Sequence, residues 1–465
     1  MRTKGVWIEC LRALPPGVWV IVAVFVASAA LRALVGGETH ERVVMWLFSP
    51  EHHELYEETV ARRGLDERDI PLEFSLLSIE ALKNRMLNGI YGGLPSADMI
   101  EVERAVAGPV FAAPEGAIGF RDLTPVLERD GLGGVFNEPS LSPWSRGGRV
   151  YGLPHDVHPV MLAYRADILE PLGIDLSRAE TWRAFFGMLR PLMEDLDGDG
   201  RPDHYPLAFW YTQKHNLELL LLQGGGSLFD PSGGATIDSA RNAEILARIV
   251  SWCVGPDRRV VDIDEFSAAG HRARIRGEAI AYLCPDWMCS IWKTHAPELG
   301  GKLKLMPLPA FEPGGRRTSV RGGTMLGFPT SSDRFGRAWE DAKTLYTSRA
   351  LARRMYERID IITPVKSLWN DPVFDEPDPF FMGQPKGRMY IELAPSVPER
   401  TSSPYYDAAV RALRDAAVGL AEWGRQNGRS TPEGLVARAA LELGDAQRRV
   451  ERRMARSMHD PAGQR

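Results

Sequence analysis

"RVVMWLFSPEHHELYEETVARRG", residues 42–64, sets how the rest of the chain is read. Arg42–Ser49 is an apolar run of strand length. From Pro50 the spacing turns helical and closes on Gly64. "IPLEFSLL" (70–77) reads as a second strand and "SIEALKNRMLNGI" (78–90) as a second helix, with Ser78 placed as its N-cap. "SADMIEVE" (96–103) is a third strand that ends at Glu103. Strand, helix, strand, helix, strand with short joints predicts right-handed crossovers and a parallel sheet, hence an α/β protein. Such sheets bind ligands at the carboxyl ends of their strands. Glu103 and the residues after Phe48 occupy two such ends.

Working outward, 465 residues are too many for one ordinary core and imply two domains or lobes. Hydrophobic residues at 44% and charged residues at 25% are normal for a water-soluble globular chain. A net charge of −5 without a long basic run argues against nucleic-acid binding, which needs phosphate neutralisation. Before the first strand, Arg2, Lys4 and Arg12 precede an uncharged apolar run, "GVWVIVAVFVASAAL" (17–31). That pattern, residues 1–37, is expected to be a signal peptide or a membrane anchor, with small residues Ala27 and Ala29 at a cleavage position. Positive residues stay inside, which places the rest of the chain on the periplasmic or extracellular face, secreted or anchored. No cysteine follows the run, so a lipid anchor is not expected. Cys253, Cys284 and Cys289 do not make a disulfide framework. The pair in "CPDWMC" reads as packing cysteines, with a disulfide as the alternative.

The middle of the chain continues the alternation. Strands fall near Val150–Leu153 and Val160–Tyr164, and Thr181 caps the helix of "TWRAFFGMLRPLM". "AIAYLCPDW" and "KLKLMPLPAF" are strands, and the tail from about Tyr405 is amphipathic helix.

In this order the blocks resemble the extracellular solute-binding proteins of ABC importers, in the sugar-binding, maltose-type group. "LPSADMIEVE", "VYGLPHDVHPVMLAYRADILEPLGID" with "TWRAFFGML", "RIRGEAIAYLCPDW", "MPLPAFEPGGRRTSVRGGTMLGFPTSS" and "STPEGLVARAALELGDAQRRV" carry the resemblance, from about residue 42 to 450. Cysteine and proline in "EAIAYLCPDW" depart from the family's small residues and glycine. The resemblance implies a two-lobe periplasmic-binding fold of type II, a Venus flytrap, with a multi-segment hinge. Its expected division is 38–157 (first lobe), 158–316 (second lobe), 317–365 (return to the first) and 366–465 (a helical segment, mainly second lobe). It also implies a monomer that binds a sugar, delivers it to the transmembrane subunits of an ABC permease, and does no catalysis. An uncleaved N-terminal segment would add the inner membrane as a partner.

A sugar site needs aromatic platforms for C–H faces and planar hydrogen-bonding groups for hydroxyls. Trp287 stands where the family places a stacking tryptophan, and Tyr405 and Tyr406 where it offers another aromatic. Trp210 follows a strand-like run, Glu103 ends the third strand, Asp156 lies at a crossover, and Arg321 precedes Gly322 and Gly323, where a backbone can approach a ligand. His155 and His158 read as structural.

"DLDGDGRPD" (195–203) matches the start of a calcium loop: Asp195, Asp197, Asp199 and Gly200 fit, and Asp203 fits the ninth position. The twelfth position is Pro206, not Glu, so a structural calcium clip or a solvated acidic turn is expected rather than a sensor. Two rival functions remain. One is a membrane-tethered sensory ectodomain with the same fold. The other is an exported carbohydrate-active enzyme, although no G-x-S-x-G, H-E-x-x-H or P-loop occurs.

Overall fold

The computed structural model describes residues 42–61, 72–94, 96–112, 118–195, 198, 200 and 202–458. The basic and apolar N-terminal segment lies outside them. None of the described helices is long and apolar enough to cross a membrane. The strands among the described residues are β1 (Val43–Leu47), β2 (Leu72–Leu76), β3 (Met99–Glu103), β4 (Ser145–Arg146), β5 (Arg149–Val150), β6 (Leu153–Pro154), β7 (Val160–Arg165), β8 (Tyr205–Ala208), β9 (Val260–Val261), β10 (Ala279–Pro285), β11 (Leu303–Pro307) and β12 (Thr324–Gly327).

They form two five-stranded sheets and one small hairpin. The first sheet has the order β2-β1-β3-β12-β6. Its first three strands are parallel, with Val43 opposite Leu72 and Met45 opposite Met99. The expected α/β start is therefore present, built on helices Pro50–Ala61 and Ile79–Gly92. Ser78 caps the second of these, its hydroxyl accepting from the Ala81 N–H, and Gly93 ends it at φ 62°. The sheet is not wholly parallel, however: β12 pairs antiparallel with β3, and β6 antiparallel with β12. Local periodicity predicts only neighbours in sequence. β12 reaches this sheet after more than two hundred residues, and its direction is set by the return path.

The second sheet has the order β11-β7-β10-β8-β9 and is also mixed. β7 and β10 pair antiparallel at its centre, and every residue of both is buried. Strands covered on both faces read as unbroken apolar runs, as "VMLAY" and "AIAYLC" do. Alternate residues feed different cores: Val160 and Leu162 join one face, Met161 and Ala163 the other. The first sheet behaves alike, with Val43, Met45 and Leu47 on one side and Val44 on the other. The C-terminal helices Tyr406–Gln426 and Pro432–Met458 pack on the second lobe through small residues, including Ala409, Ala416, Ala439 and Ala446.

Several segments join the lobes. The chain leaves β6 and enters β7 through residues 155–159, and returns to β12 through residues 317–323. These two crossings are bonded together: Pro159 bridges Val320, the Val160 N–H donates to the Ser319 carbonyl (3.1 Å), and the Thr318 hydroxyl donates to the Val160 carbonyl (3.0 Å). A third passage follows Leu368, which packs in a first-lobe core, and precedes Val373 and Phe374, which pack in a second-lobe core. Farther on, the Ser402 hydroxyl lies 2.8 Å from the carbonyls of both Pro143 and Ser145 and shares its one proton between them, which pins the approach to the last two helices against the first lobe.

Candidate functional site

The carboxyl ends of β1 and β3 open onto a cavity of about 940 Å³ between the two sheets. Its first-lobe wall includes Phe48 and Glu103 at those strand ends. The two bonded crossings supply Asp156, His158 and Val320–Thr324. The second lobe supplies Phe266, Trp287 and the start of helix Lys214–Gln223, with Glu218 facing the cavity.

Glu103, Asp156, Trp287, Arg321 and Tyr406 all line this cavity. Trp210 and Tyr405 do not. β8 stops at Ala208, Phe209 is buried, and the following turn carries Trp210 into a separate small pocket beside Glu265 and Arg274. Tyr405 precedes the helix that begins at Tyr406 and packs against the second-lobe core.

Trp287 and Phe266 form the aromatic part of the wall, their rings stacked at 6.3 Å with 7° between planes. Trp287 touches the core of each lobe, and its indole N–H donates to the Arg321 carbonyl at 3.1 Å. The Arg321 guanidinium lies over both rings, at 5.7 Å from Phe266 and 5.5 Å from Trp287. Its charge is already matched. Nη1 and Nη2 donate to the two oxygens of Glu265 at 2.7 and 2.8 Å, a bidentate pair that ties the return crossing to the second lobe. Arg321 thus serves the wall by holding Trp287, and Gly322 holds a φ of 94° that strains any side chain, with an added Cβ only 3.3 Å from the indole nitrogen.

Asp156 is committed to histidines. His155 Nδ1 lies 3.0 Å from Oδ2, and His158 Nε2 contacts Oδ1. His158 Nδ1 faces Asp286 at 3.2 Å across the lobe boundary. Burial opposes the imidazolium, but the Asp156 and Asp286 carboxylates outweigh it and raise His158 to about 10. The same histidines hold Asp156 well below the usual carboxylate range against the cost of its burial. His155 and His158 thus belong to one buried network at the crossing, and His158 also lines the cavity.

A second buried network was not visible in the residue pattern. Arg104 lies over the Tyr406 ring at 4.1 Å and meets Glu218 as an ion pair at 3.8 Å. The Tyr406 hydroxyl donates to Glu218, and Arg400 Nη1 donates to the Gly322 carbonyl at 2.7 Å. Although burial works to raise it, Glu218 is lowered to about 2 by His215, Arg104 and Arg400. Glu103 moves the other way. Burial raises it despite the pull of His215 and of its own hydrogen bond from the Ala105 N–H at 2.7 Å. The one signal for Glu218 in the sequence is a lone carboxylate inside the apolar run "LELLLL". Arg104 and Arg400 carry none beyond being arginines.

His52 also lines the cavity; its Nδ1 meets Glu101 Oε1 at 2.5 Å, and the Tyr56 hydroxyl donates to Oε2 at 2.9 Å. His155 stacks on His52 with centroids 4.3 Å apart. His52, Glu101 and His155 bring their potential ligand atoms within 4.8 Å of one another. Both Glu101 oxygens are already occupied by neighbours, so the cluster closes on itself.

Of the acidic loop, Asp197 and Asp199 lie outside the described residues. Asp195 accepts from the Gly198 and Gly200 N–H groups at 2.7 and 2.8 Å, a tight turn around glycines at φ 82° and 83°. The Asp203 N–H donates to the Glu194 carbonyl. Asp195, Gly198, Gly200 and Asp203 are not among the cavity-lining residues. Cys284 and Cys289 are free buried thiols with sulfurs 3.7 Å apart, which is the packing arrangement rather than a disulfide.

The comparisons with known proteins agree with this geometry. An arabinooligosaccharide-binding protein of Halalkalibacterium halodurans is 22% identical over 353 residues, 73% of this chain and 75% of that protein. One from Bacillus subtilis is 22% identical over 321 residues, 67% and 70% of the two chains. The solved structure of the sugar-binding protein MalE from Xanthomonas citri superposes with a TM-score of 0.70 at 16% identity, covering 89% of this chain and 98% of that one, so the fold is shared. The model of the bacterial extracellular solute-binding proteins matches residues 66–350, more than half of the sequence, and the chain belongs to that family.

Proposed function

We propose that this protein binds an oligosaccharide in the cleft between its lobes, outside the cytoplasm, and delivers it to an ABC permease. The observation that carries the reading is the 940 Å³ cavity walled by both lobes and by their bonded crossings, with the Trp287–Phe266 platform beside charged hydrogen-bonding groups. That combination suits a sugar, whose ring faces are apolar and whose rim is polar. The volume is ample for more than one sugar ring. The relatives named for arabinooligosaccharide binding support the same class. In this reading the protein performs no catalysis, and the N-terminal segment directs export or anchors the chain. Glu103, Asp156, Trp287, Arg321 and Tyr406 form the first candidate contacts, joined by Arg104, Glu218, Phe266 and Arg400.

The test is a thermal-shift screen of the purified protein against arabino-, malto- and galacto-oligosaccharides, with calorimetry on every hit. A ligand that binds only the native state raises the melting temperature, by an amount that grows with the logarithm of its concentration above Kd. Micromolar binding of an oligosaccharide that is recovered unchanged is the expected result. Hydrolysis of the bound sugar, or indifference to every saccharide in the panel, would overturn the reading.

A further inference from the structure

The cleft holds more cationic hydrogen-bond donors than its own acceptors use. Arg104 is 7% exposed and Arg400 8% exposed, and both line the cavity. Among the described residues, the Arg104 guanidinium has its 3.8 Å ion pair with Glu218 and the face of the Tyr406 ring at 4.1 Å; its Nη groups make no hydrogen bond, and its Nε, sealed from the cavity, has no partner. Arg400 donates one side-chain hydrogen bond, to the Gly322 carbonyl, and its Nε is also unpartnered. A buried guanidinium carries five N–H donors, and leaving them unmatched is costly.

The neighbouring carboxylates relieve this only in part: Glu218 pairs with Arg104, and its charge favours the Arg400 cation, but it makes no hydrogen bond to either. Glu218 already accepts from Tyr406 while facing Arg104. Asp156 is taken by His155 and His158, and Glu265 by Arg321. Glu103 caps Ala105, and its burial favours the uncharged form. At the rim, Glu54 pairs with Arg358 and Glu51 accepts from the Ser49 hydroxyl. Arg104 and Arg400 also oppose each other: burial first, and then the Arg104 charge, lowers Arg400 to about 10. What the pair lacks is a planar, two-oxygen anion hydrogen-bonded to its forks, the group that guanidinium matches best.

We infer that the saccharide taken by this cleft carries a carboxylate, as a uronic acid residue does, and that Arg104 and Arg400 receive it. The inference rests on the oligosaccharide reading and narrows it. The acidic sugar ring lies towards the Arg104–Arg400 floor, and a neutral ring lies towards the Trp287–Phe266 platform.

The test sets acidic saccharides against their neutral parents in calorimetry with the intact protein. Di- and trigalacturonate are compared with di- and trigalactose, and glucuronic-acid-substituted xylotriose with xylotriose. At least one acidic member is expected to bind at least tenfold more tightly than its parent. That advantage should shrink at least threefold between 50 and 500 mM NaCl, while the affinity of the neutral parent holds. R400Q should bring the acidic and neutral partners within about threefold of each other. The salt series on the wild type decides the matter even if R400Q misfolds. Neutral parents binding as tightly as acidic ones would overturn the carboxylate inference and leave the oligosaccharide reading standing. Failure of every saccharide, acidic and neutral, would overturn both.

Discussion

Trp287 does two jobs with one side chain. Its indole N–H is held by the Arg321 carbonyl, and the ring lines the cleft while touching the core of each lobe. Trp287→Ala should therefore weaken oligosaccharide binding at least tenfold, about 1.4 kcal/mol, without unfolding the protein. Calorimetry on the folded variant checks this, and unchanged affinity would remove Trp287 from the binding surface. His158 offers a test in pH. Its imidazole is raised to about 10 by Asp156 and Asp286, which outweigh burial. A group raised on folding adds stability that is whole below its unfolded value, about 6.5, and is lost as pH climbs through the folded value. Urea denaturation should thus show stability falling between pH 7 and 10. His158→Gln should cost about 3 kcal/mol at pH 7, because two buried carboxylates lose their cation, and should flatten the alkaline fall. An unchanged alkaline slope in the variant would show that His158 is not the group responsible.

Among the elements, the acidic loop joins the helix Trp182–Leu189, through a short 3-10 turn, to β8. Its described residues do not line the cleft, and its sequence lacks the glutamate that would complete a calcium loop. If the loop takes calcium, the ion is expected to raise the melting temperature by a few degrees and to leave sugar affinity within twofold; a solvated acidic turn would leave both unchanged. A tenfold change in affinity on adding calcium would show that the loop is coupled to the cleft. The crossings 155–159 and 317–323 are the elements that reach it. Each contributes to the cavity, and they bond to one another before separating into different sheets.

At the scale of the molecule, several short crossings permit rotation of the lobes and forbid free tumbling. A ligand touching Glu103 in the first lobe and Trp287 in the second favours whichever arrangement brings both within reach. The Arg321–Glu265 and His158–Asp286 pairs already reach from the crossings to the second lobe and would guide such a rotation. Solution scattering at saturating ligand should show a smaller radius of gyration than the empty protein. Superimposable profiles, for a ligand shown by calorimetry to bind, would identify a rigid one-piece pocket.

The order of strands and helices in the first lobe, the Ser78 and Thr181 caps, and the position of Glu103 at a strand end were all readable in the sequence. Each depends on periodicity and side-chain chemistry within a few residues. Trp287 was readable through its block and Tyr406 only as one of a pair, because helical phase separates it from Tyr405 once the helix start is known. The antiparallel entry of β12 and β6, the exclusion of Trp210, and the meeting of Arg104, Glu218 and Arg400 were decided by tertiary structure alone. These depend on chain segments far apart in sequence. The energy that places a buried charge comes from the opposite charges and donors folded around it, which no local pattern encodes.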